Sequence, residues 1–332
     1  MKHGVHRMKH LARRVLLPAT IVMASLAHAQ SYPAKAVQIV VPFPPRVTVD
    51  VVARIVAQGL TEQMGQTVRV ENKAGANGII GIIGSDFVAK SAPDGYTLLV
   101  QASIFVINPL FLPDVPYNVQ KNFTPLSNLG SGPLLMVANP KVQAGNLREF
   151  VALAKADITK YIFATSGLGS AGHLAEETVK RQFGIPDLLI VAYKGTAPTL
   201  TDLMGGQVSV MIDAMPSAYP HVKSGKLKPL AVSSLKRVAF LPEVPTLAES
   251  GLPGFEMVSW YGLWGPSGLP RDIAAKLSLE AARSVRTPLA TERLGAQAFD
   301  VVGSSSEQFA SYIQEEIVRY ARIVKEANIK AE

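Results

Sequence analysis

A loop of small residues, 166–173, carries the side chains with the clearest potential for chemistry. It reads Ser-Gly-Leu-Gly-Ser-Ala-Gly-His and stands between a β-rich run, 161–165, and a segment with helical spacing, 174–183. Backbone N–H groups at a helix start lack partners within the helix, and the helix dipole favours an anion there. Ser166 and Ser170 can add hydroxyl donors. The loop therefore predicts a carboxylate or phosphate site, unless it only caps the helix.

The same loop fits the dinucleotide-binding pattern G-x-G-x-x-G, from Gly167 to Gly172. Asp187 lies about twenty residues on, where that motif places an acid for the ribose. In the motif the acid ends the second strand, whereas Asp187 precedes the apolar run 188–192. We therefore expect no nicotinamide or other cofactor.

A serine hydrolase is the alternative from another class of protein. Ser166 or Ser170, with His173 and Asp213, offers the residue types of a catalytic triad. A nucleophile elbow reads G-x-S-x-G, and neither serine has that frame. His173 follows Ser170 by three residues at the same helix start, which suits bracing of the loop better than proton transfer. We expect no enzyme activity, and a secreted hydrolase remains the alternative.

Metal and nucleic-acid binding find little support in the composition. The 332 residues include no cysteine, and outside the first 29 residues only His173 and His221 remain. Two distant histidines predict no zinc or copper site. No block of lysine and arginine follows residue 29, so no nucleic-acid partner is expected.

The first 29 residues have the pattern of a secretory signal. A basic region precedes the apolar run 15–26, and Ala27-His28-Ala29 offers a cleavage site after Ala29. The run is too short for a stable membrane span. Removal of five basic residues lowers the formal net charge from +8 to +3. The mature chain is therefore expected to be a soluble periplasmic protein.

Alternating strand-like and helical segments must position the candidate side chains. Strands are expected at 36–43, 68–72, 96–100, 134–138, 161–165, 188–192, 208–212, 227–233 and 253–264. Amphipathic helices are expected between them, and 108–125 is expected to be a proline-broken loop. The repeated β-α-β order predicts an α/β fold with parallel-rich sheets flanked by helices.

Two β-α series and a late return strand predict two lobes. The first lobe is expected to comprise residues 30–128 and 247–332, and the second lobe residues 129–246. Ligands of open parallel sheets bind beyond the carboxyl ends of the strands. The strand-end loops should therefore face each other across a cleft between lobes that hinge. Those loops are 43–50, 166–173, 193–195 and the strand end at Asp213.

An ordered set of motifs runs through nearly the whole chain after residue 30. It includes Pro42-Phe43-x-Pro45, Val70-Glu71-Asn72, Pro93-Asp94-Gly95-Tyr96-Thr97-Leu98, Ser166-Gly167-x-Gly169-Ser170 with His173, Tyr193-Lys194-Gly195, and Leu241-Pro242-x-Val244-Pro245. Together they resemble the Bug family, the extracytoplasmic solute receptors of tripartite tricarboxylate transporters. The resemblance implies a two-lobed, type II-like periplasmic binding fold that closes on a small carboxylate. It further implies a membrane permease or a signalling partner, and a monomer is expected.

The resemblance also implies which residues hold the ligand. In the family a carboxylate is held by the first strand-end loop and by the serine–glycine loop. Carried over to this chain, the binding residues are Phe43, Asp50, Ser166, Gly169, Ser170, His173, Tyr193, Lys194, Gly195 and Asp213. Asp50 could instead cap its helix, His173 could hold the loop by a backbone hydrogen bond, and Lys194 could be a solvated charge. For Asp213 we expect an ordering role.

One position departs from the family pattern. Where the family usually has two glycines after Pro45, this chain has Arg46 and Val47, which adopt positive φ poorly. A planar guanidinium can bind a carboxylate in bidentate fashion. Our hypothesis is that Arg46 reaches into the cleft and binds a carboxylate; the alternative is an arginine that points to solvent.

The expected ligand is a dicarboxylate. Arg46, Lys194 and two serine-bearing loops can serve two anionic ends. An aromatic dicarboxylate of the terephthalate kind is a candidate if the neighbouring rings line the cleft and do not belong to the core. Those rings are Phe43, Tyr193, Trp260 and Tyr261.

Overall fold

The computed structural model describes residues 32–75, 81–112, 114–296, 298–326 and 328–329. The secretory signal predicted for residues 1–29, with cleavage after Ala29, lies outside the described residues. Among the described helices, none combines the length and the apolar character that crossing a bilayer requires.

The strands are β1 (Val37–Val41), β2 (Val68–Asn72), β3 (Thr97–Ala102), β4 (Phe123–Ala138), β5 (Phe163–Thr165), β6 (Ile190–Ala192), β7 (Val210–Ala214), β8 (Lys228–Val232), β9 (Val258–Pro266) and β10 (Asp300–Val301). The helices are α1 (Thr48–Met64), α2 (Ile82–Ala89), α3 (Ile104–Phe111), α4 (Val119–Asn122), α5 (Leu147–Ala156), α6 (Ala171–Gln182), α7 (Thr196–Gly205), α8 (Met215–Lys223), α9 (Arg271–Val285), α10 (Pro288–Gly295) and α11 (Ser306–Glu326). Helices thus follow β1, β2, β3, β5, β6 and β7, as the β-α-β order predicts.

The strands form two mixed sheets that share β4. In the first lobe the order is β2-β1-β3-β9-β4, with β1, β2 and β3 parallel. In the second lobe β7, β5 and β6 lie side by side in parallel, and β4 pairs with β7 and β8. The two-lobed α/β fold is therefore confirmed, and the antiparallel pairs are those made by β4, β9 and β10.

Strand β4 is the part of the chain that passes from one lobe to the other. Its segment 123–133 pairs with β9 in the first sheet, whereas 134–138 pairs with β7 in the second. The chain returns to the first lobe through 233–257 and β9. The residue boundaries predicted for the lobes stay a prediction.

The prediction of a loop at 108–125 is wrong for most of that stretch. Helix α3 runs through Pro109 to Phe111, α4 spans Val119–Asn122, and β4 begins at Phe123. A proline inside a helix costs about 3 kcal/mol, but burial of Phe105 and its apolar neighbours offsets that cost.

Candidate functional site

A cavity lies between the lobes at the carboxyl ends of their parallel strands. Its empty volume is about 960 Å³, including open solvent at its mouth. The loops after β1, β2, β3, β5, β6 and β7 line it, together with residues of β9. This is the position predicted for the cleft, because the parallel strands of both sheets end there.

Five helices begin at the cavity, and their first turns form much of its wall. The lining residues of those turns are Thr48 and Val49 of α1, Ile104 of α3, Ala171 and Gly172 of α6, Thr196 of α7 and Ser217 of α8. Four of these helices, α1, α3, α7 and α8, begin without a hydrogen bond from a capping side chain. First-turn N–H groups and helix dipoles therefore supply partial positive charge from both lobes.

Cationic side chains contribute little to this wall. Among the described lining residues, Lys194 is the only lysine or arginine, and it is exposed. Most of the other lining residues are apolar or carry hydroxyl groups. An anion in the cavity would therefore be bound chiefly by main-chain N–H groups and hydroxyls, as at other helix N-termini.

The serine–glycine loop is braced by its own side chains. Ser170 caps α6, since its Oγ accepts a hydrogen bond from the main-chain N–H of His173 at 3.1 Å. The imidazole Nδ1 of His173 in turn accepts from the N–H of Gly169 at 3.1 Å. The N–H of Gly195 donates to the carbonyl of Ser166 at 2.8 Å and ties this loop to the next one.

His173 is a neutral, buried brace in this structure. Burial, and secondarily the charge of Lys180, lowers the pKa of His173 to about 4. Because Nδ1 accepts a hydrogen bond, the ring proton is assigned to Nε2. Ser170 Oγ accepts from the main chain of His173 and not from its ring, so this pair lacks the hydrogen bond of a nucleophile and its base.

Gly172 lets α6 start unusually close to the sheet. A Cβ at this position would overlap with the carbonyl oxygen of Ile212 on β7. The N–H of Ile212 donates at 2.9 Å to the carboxyl of Glu176, a fully buried side chain of α6 whose pKa burial raises well above its usual range. The third glycine of the G-x-G-x-x-G pattern thus serves helix–strand contact.

Asp213 is the last residue but one of β7 and lines the cavity. Its Oδ2 accepts from Thr196 Oγ1 at 2.8 Å, and its Oδ1 accepts from the N–H of Ala214 at 2.8 Å. The Ser166 hydroxyl also hydrogen-bonds to it. Burial raises the pKa of Asp213, and these three hydrogen bonds oppose the rise without cancelling it.

Hydroxyl groups connect the two lobes across the cavity. Thr48 Oγ1 of the first lobe lies 3.3 Å from Ser217 Oγ of the second, at hydrogen-bond distance. The Tyr261 hydroxyl bonds with Thr48 and accepts from Ser259 Oγ at 3.1 Å. Burial raises the pKa of Tyr261 to about 12, so its hydroxyl keeps its proton.

The loop after β1 is braced by a charged cluster centred on Asp50. This carboxylate accepts hydrogen bonds from Arg54 Nε and an Arg54 terminal nitrogen at 2.9 Å each, from Asn72 Nδ2 at 2.8 Å and from the Arg46 N–H at 2.9 Å. Burial alone would raise the pKa of Asp50, but the hydrogen bonds from Arg54, Arg46 and Asn72 lower it below its usual value.

Arg46 keeps a backbone conformation that glycine adopts most easily. Its φ is +72°, in the left-handed region, so the departure from the family pattern leaves the loop in a glycine-like conformation. The Arg46 residue is exposed and is not among the lining residues. Its predicted contact with a carboxylate stays a prediction.

The predicted binding residues divide into two groups. Those that line the cavity are Phe43, Ser166, Ser170, Lys194, Gly195 and Asp213. Behind the lining, Asp50, Gly169 and His173 brace the loops, while Tyr193 donates to Asp202 Oδ2 at 2.7 Å. None of these positions is thereby tested as a ligand contact, and the binding roles stay predictions.

Sequence reasoning missed several polar lining residues, namely Thr48, Ser103, Thr196, Ser217 and Ser259. Ser103, Thr196 and Ser217 follow a strand end by one to four residues, and Thr48 lies in the predicted loop 43–50, so the position after a strand was the available signal. Ser259 and Tyr261 alternate on β9 with the period of two expected for one face of a strand. Trp260 between them is fully buried and donates to Glu316, so it belongs to the core.

Known proteins share this fold and much of this sequence. BugT of Bordetella pertussis is 37% identical over 314 residues, which cover 94% of this chain and 95% of BugT. An R. palustris protein solved with adipate superposes with a TM-score of 0.85 at 32% identity, covering 90% of this chain and 99% of its own. MatC of Rhodopseudomonas palustris with bound malate gives a TM-score of 0.81 at 31% identity, covering 88% and 100%.

A family model agrees with these relatives. The model described as "Tripartite tricarboxylate transporter family receptor", TctC, matches residues 52–329, which include every strand and helix from β2 to α11. The chain therefore belongs to the TctC family of receptors of tripartite tricarboxylate transporters, within which the Bug proteins are its relatives.

Proposed function

We propose that this protein is a periplasmic receptor that binds a small carboxylate between its lobes and performs no chemistry on it. The observation that carries the proposal is the convergence of five helix N-termini, from both lobes, on one cavity. N–H groups fixed at helix starts bind an anion without the desolvation cost of buried lysine or arginine. Loaded receptor then presents the ligand to a permease of the tripartite tricarboxylate type or to a signalling partner.

A dicarboxylate is the favoured ligand. Adipate and malate, the ligands named for two similar structures, are both dicarboxylates. Phe43 lines the cavity with a half-buried aromatic side chain, which supports an aromatic dicarboxylate such as terephthalate as a further candidate. Apolar lining residues such as Pro42 and Ile104 suit the carbon skeleton of such an acid.

Closure of the lobes would complete the site. Each lobe contributes helix starts, and the Thr48–Ser217 contact spans the two lobes beside the cavity. A ligand that bonds to both sets of N–H groups favours the closed arrangement, since it binds that state better than an open one. We propose that the monomer suffices, because both halves of the cavity come from one chain.

The proposal is tested by thermal shift and calorimetry on the mature protein, residues 30–332. We expect at least one acid from a panel of mono-, di- and tricarboxylates to stabilise the protein, by about 2.7 kcal/mol at a hundredfold excess over its Kd. The matching neutral amides should not stabilise the protein. A panel without any binding acid would refute the proposal.

A helix-start variant sharpens the test. Ala171→Pro removes one N–H at the first position of α6, where proline is tolerated, and Ser170 before it already has φ −66° and ψ 158°. We expect a tenfold or greater loss of affinity with the fold retained. Arg271→Pro makes the same change at the first position of α9, whose residue does not line the cavity, and should leave affinity unchanged. Equal affinities for both variants would contradict binding by helix N–H groups.

A further inference from the structure

Asp213 is the only acidic residue among the described residues that line the cavity. It is 8% exposed, and the described groups that bond to it are all neutral donors: Thr196, Ala214 and Ser166. A carboxylate has room for about four hydrogen bonds, so about one acceptor position remains. Asp213 lines the cavity, where a donor group of a bound molecule could supply the fourth hydrogen bond.

The contacts of Asp213 show which helix starts lie beside its side chain. Thr196 is the first residue of α7, and Ala214 is the N-cap residue of α8. Asp213 therefore lies beside these two helix starts, where the helix dipoles favour a negative charge. The starts of α1, α3 and α6 remain for the carboxylate of a ligand. Asp213 belongs to the second lobe, so a ligand whose carboxylate lies at the starts of α1 and α3 in the first lobe can place a donor group beside Asp213.

Among the residues that the structure describes around Asp213, none is a buried cation. The ionisable groups around it are Glu176 of α6, Tyr261 of β9 and Lys194, which is exposed on the loop before α7. Glu176 is itself an acid with a pKa raised by burial. A second full negative charge on the ligand would therefore face the Asp213 carboxylate without a buried cation to compensate it.

We propose that Asp213 determines specificity by accepting a hydrogen bond from the ligand, so that the ligand combines one carboxylate with a donor group at its other end. The donor is a hydroxyl, an ammonium or the proton of a second carboxyl. This inference rests on the proposed function, and it narrows the expected ligands to carboxylates that carry a second, hydrogen-bond-donating group. A dicarboxylate then binds with one proton shared between its second carboxyl and Asp213, and tricarboxylates bind weakly.

Two matched series of acids test the inference by calorimetry at pH 7.5. The first is hexanoate, 6-hydroxyhexanoate, 6-aminohexanoate and adipate; the second is 4-methylbenzoate, 4-(hydroxymethyl)benzoate, 4-(aminomethyl)benzoate and terephthalate. Within each series only the far end changes. We expect the hydroxyl or the ammonium end to bind at least tenfold more tightly than the methyl end. We also expect the dicarboxylate to take up a proton, detected by comparing buffers of different ionisation enthalpy.

The isosteric variant Asp213→Asn assigns the effect to this residue. The variant should bind the ammonium-ended acid at least tenfold less tightly than the wild type does. It should bind the dicarboxylate more tightly and without proton uptake. If Asp213→Asn does not fold, the affinities of the two series for the wild-type protein, and the proton uptake with the dicarboxylate, still test the inference. Methyl-ended and donor-ended acids of equal affinity in the wild type, or equal losses for all acids in the variant, would overturn the inference and leave the proposed function standing. Failure of every acid to bind would refute both.

Discussion

Two of the loops that bring helix starts to the cavity, one in each lobe, are held in different ways. In the first lobe, residues 43–50 are fixed by an ionic cluster in which Asp50 accepts four hydrogen bonds, two of them from Arg54. In the second lobe, residues 166–173 are fixed by neutral groups, with Ser170 and His173 each accepting a main-chain N–H. Both arrangements leave helix starts at the cavity.

The difference follows from solvent access. The side chain of Arg54 is 53% exposed, so its charge keeps much of its hydration, whereas that of His173 is 6% exposed and would lose it. A charged side chain that stays exposed keeps most of its hydration free energy, whereas a charged side chain in the interior loses it. The two loops should therefore respond differently to steric change, to acid and to loss of a single partner, and four measurements separate them.

The largest effect is expected from Gly172→Ala in the second-lobe loop. The new Cβ would overlap with the carbonyl oxygen of Ile212, so α6 must move away from β7. We expect a loss of about 3 kcal/mol or more in the free energy of unfolding, and loss of ligand binding. Gly295→Ala, at a helical glycine with open space around it, should change stability by about 1 kcal/mol or less. Chemical denaturation of both variants makes the comparison, and equal stabilities would contradict the close contact.

Acid should weaken the neutral loop before the ionic one. The pKa of His173 is lowered from 6.5 to about 4, so the unfolded chain takes up this proton at higher pH than the folded protein does. The free energy of unfolding should therefore fall by about 2–3 kcal/mol between pH 6.5 and pH 4 because of this residue. The pKa of Asp50 is lowered from 3.8, so its stabilisation is complete above that value and is lost only at more acid pH.

His173→Asn isolates this contribution. An asparagine oxygen can accept the Gly169 N–H but does not titrate, so the decline between pH 6.5 and pH 4 should shrink by the same amount. His221→Asn, a change outside the loop, serves as the control. Denaturation curves at several pH values give the answer, and an unchanged pH profile in His173→Asn would show that His173 is not the buried neutral brace.

Loss of Asp50 should cost about 2 kcal/mol. Asp50→Ala leaves the Arg46 N–H and the Asn72 amide without this acceptor, at about 1 kcal/mol each, while the half-exposed Arg54 contributes little. Lys90→Ala breaks the pair with Asp86 on the surface of α2 and should cost less than about 0.5 kcal/mol. Urea titration of both variants distinguishes a bracing cluster from an ordinary surface pair. A loss no greater than that of Lys90→Ala would contradict the bracing role.

Substitution of Arg46 should give the smallest change in stability, and the same variants also report on ligand affinity. Arg46→Gly and Arg46→Ala both remove the guanidinium, but only glycine relieves the φ of +72°, so the glycine variant should be about 0.5–1 kcal/mol more stable than the alanine variant. If Arg46 binds a carboxylate, both variants should lose at least tenfold in affinity, about 1.4 kcal/mol. A smaller loss in both would refute that hypothesis, and equal stabilities would argue against strain at residue 46.

The comparison also shows what the sequence can and cannot predict. The period of apolar residues located the strands and the order of motifs located the loops, because both are local patterns. The helix through Pro109 was missed because its stability comes from burial, which depends on the tertiary fold. Ser217 and Ser259 were missed because they approach the site only when the lobes and the return strand β9 come together.

The roles of individual residues were harder to predict than their positions. Asp50 and His173 were predicted to bind ligand, with a capping or bracing role as the alternative, and the structure shows that each accepts a hydrogen bond from a main-chain N–H group. Their binding roles stay predictions. Gly172 belongs to a pattern known for phosphate binding, and its contact with Ile212 shows a steric reason for a glycine there. The contact between Gly172 and Ile212 joins residues forty positions apart, beyond the reach of local patterns.

A crystal structure with the tightest-binding acid tests the central claim most directly. The account predicts carboxylate oxygens within about 3.2 Å of main-chain nitrogens at the starts of α1 and α6, and a donor group of the ligand beside Asp213. A carboxylate held instead by the side chains of Arg46 or Lys194, away from the helix starts, would contradict it. So would an acid bound outside the cavity.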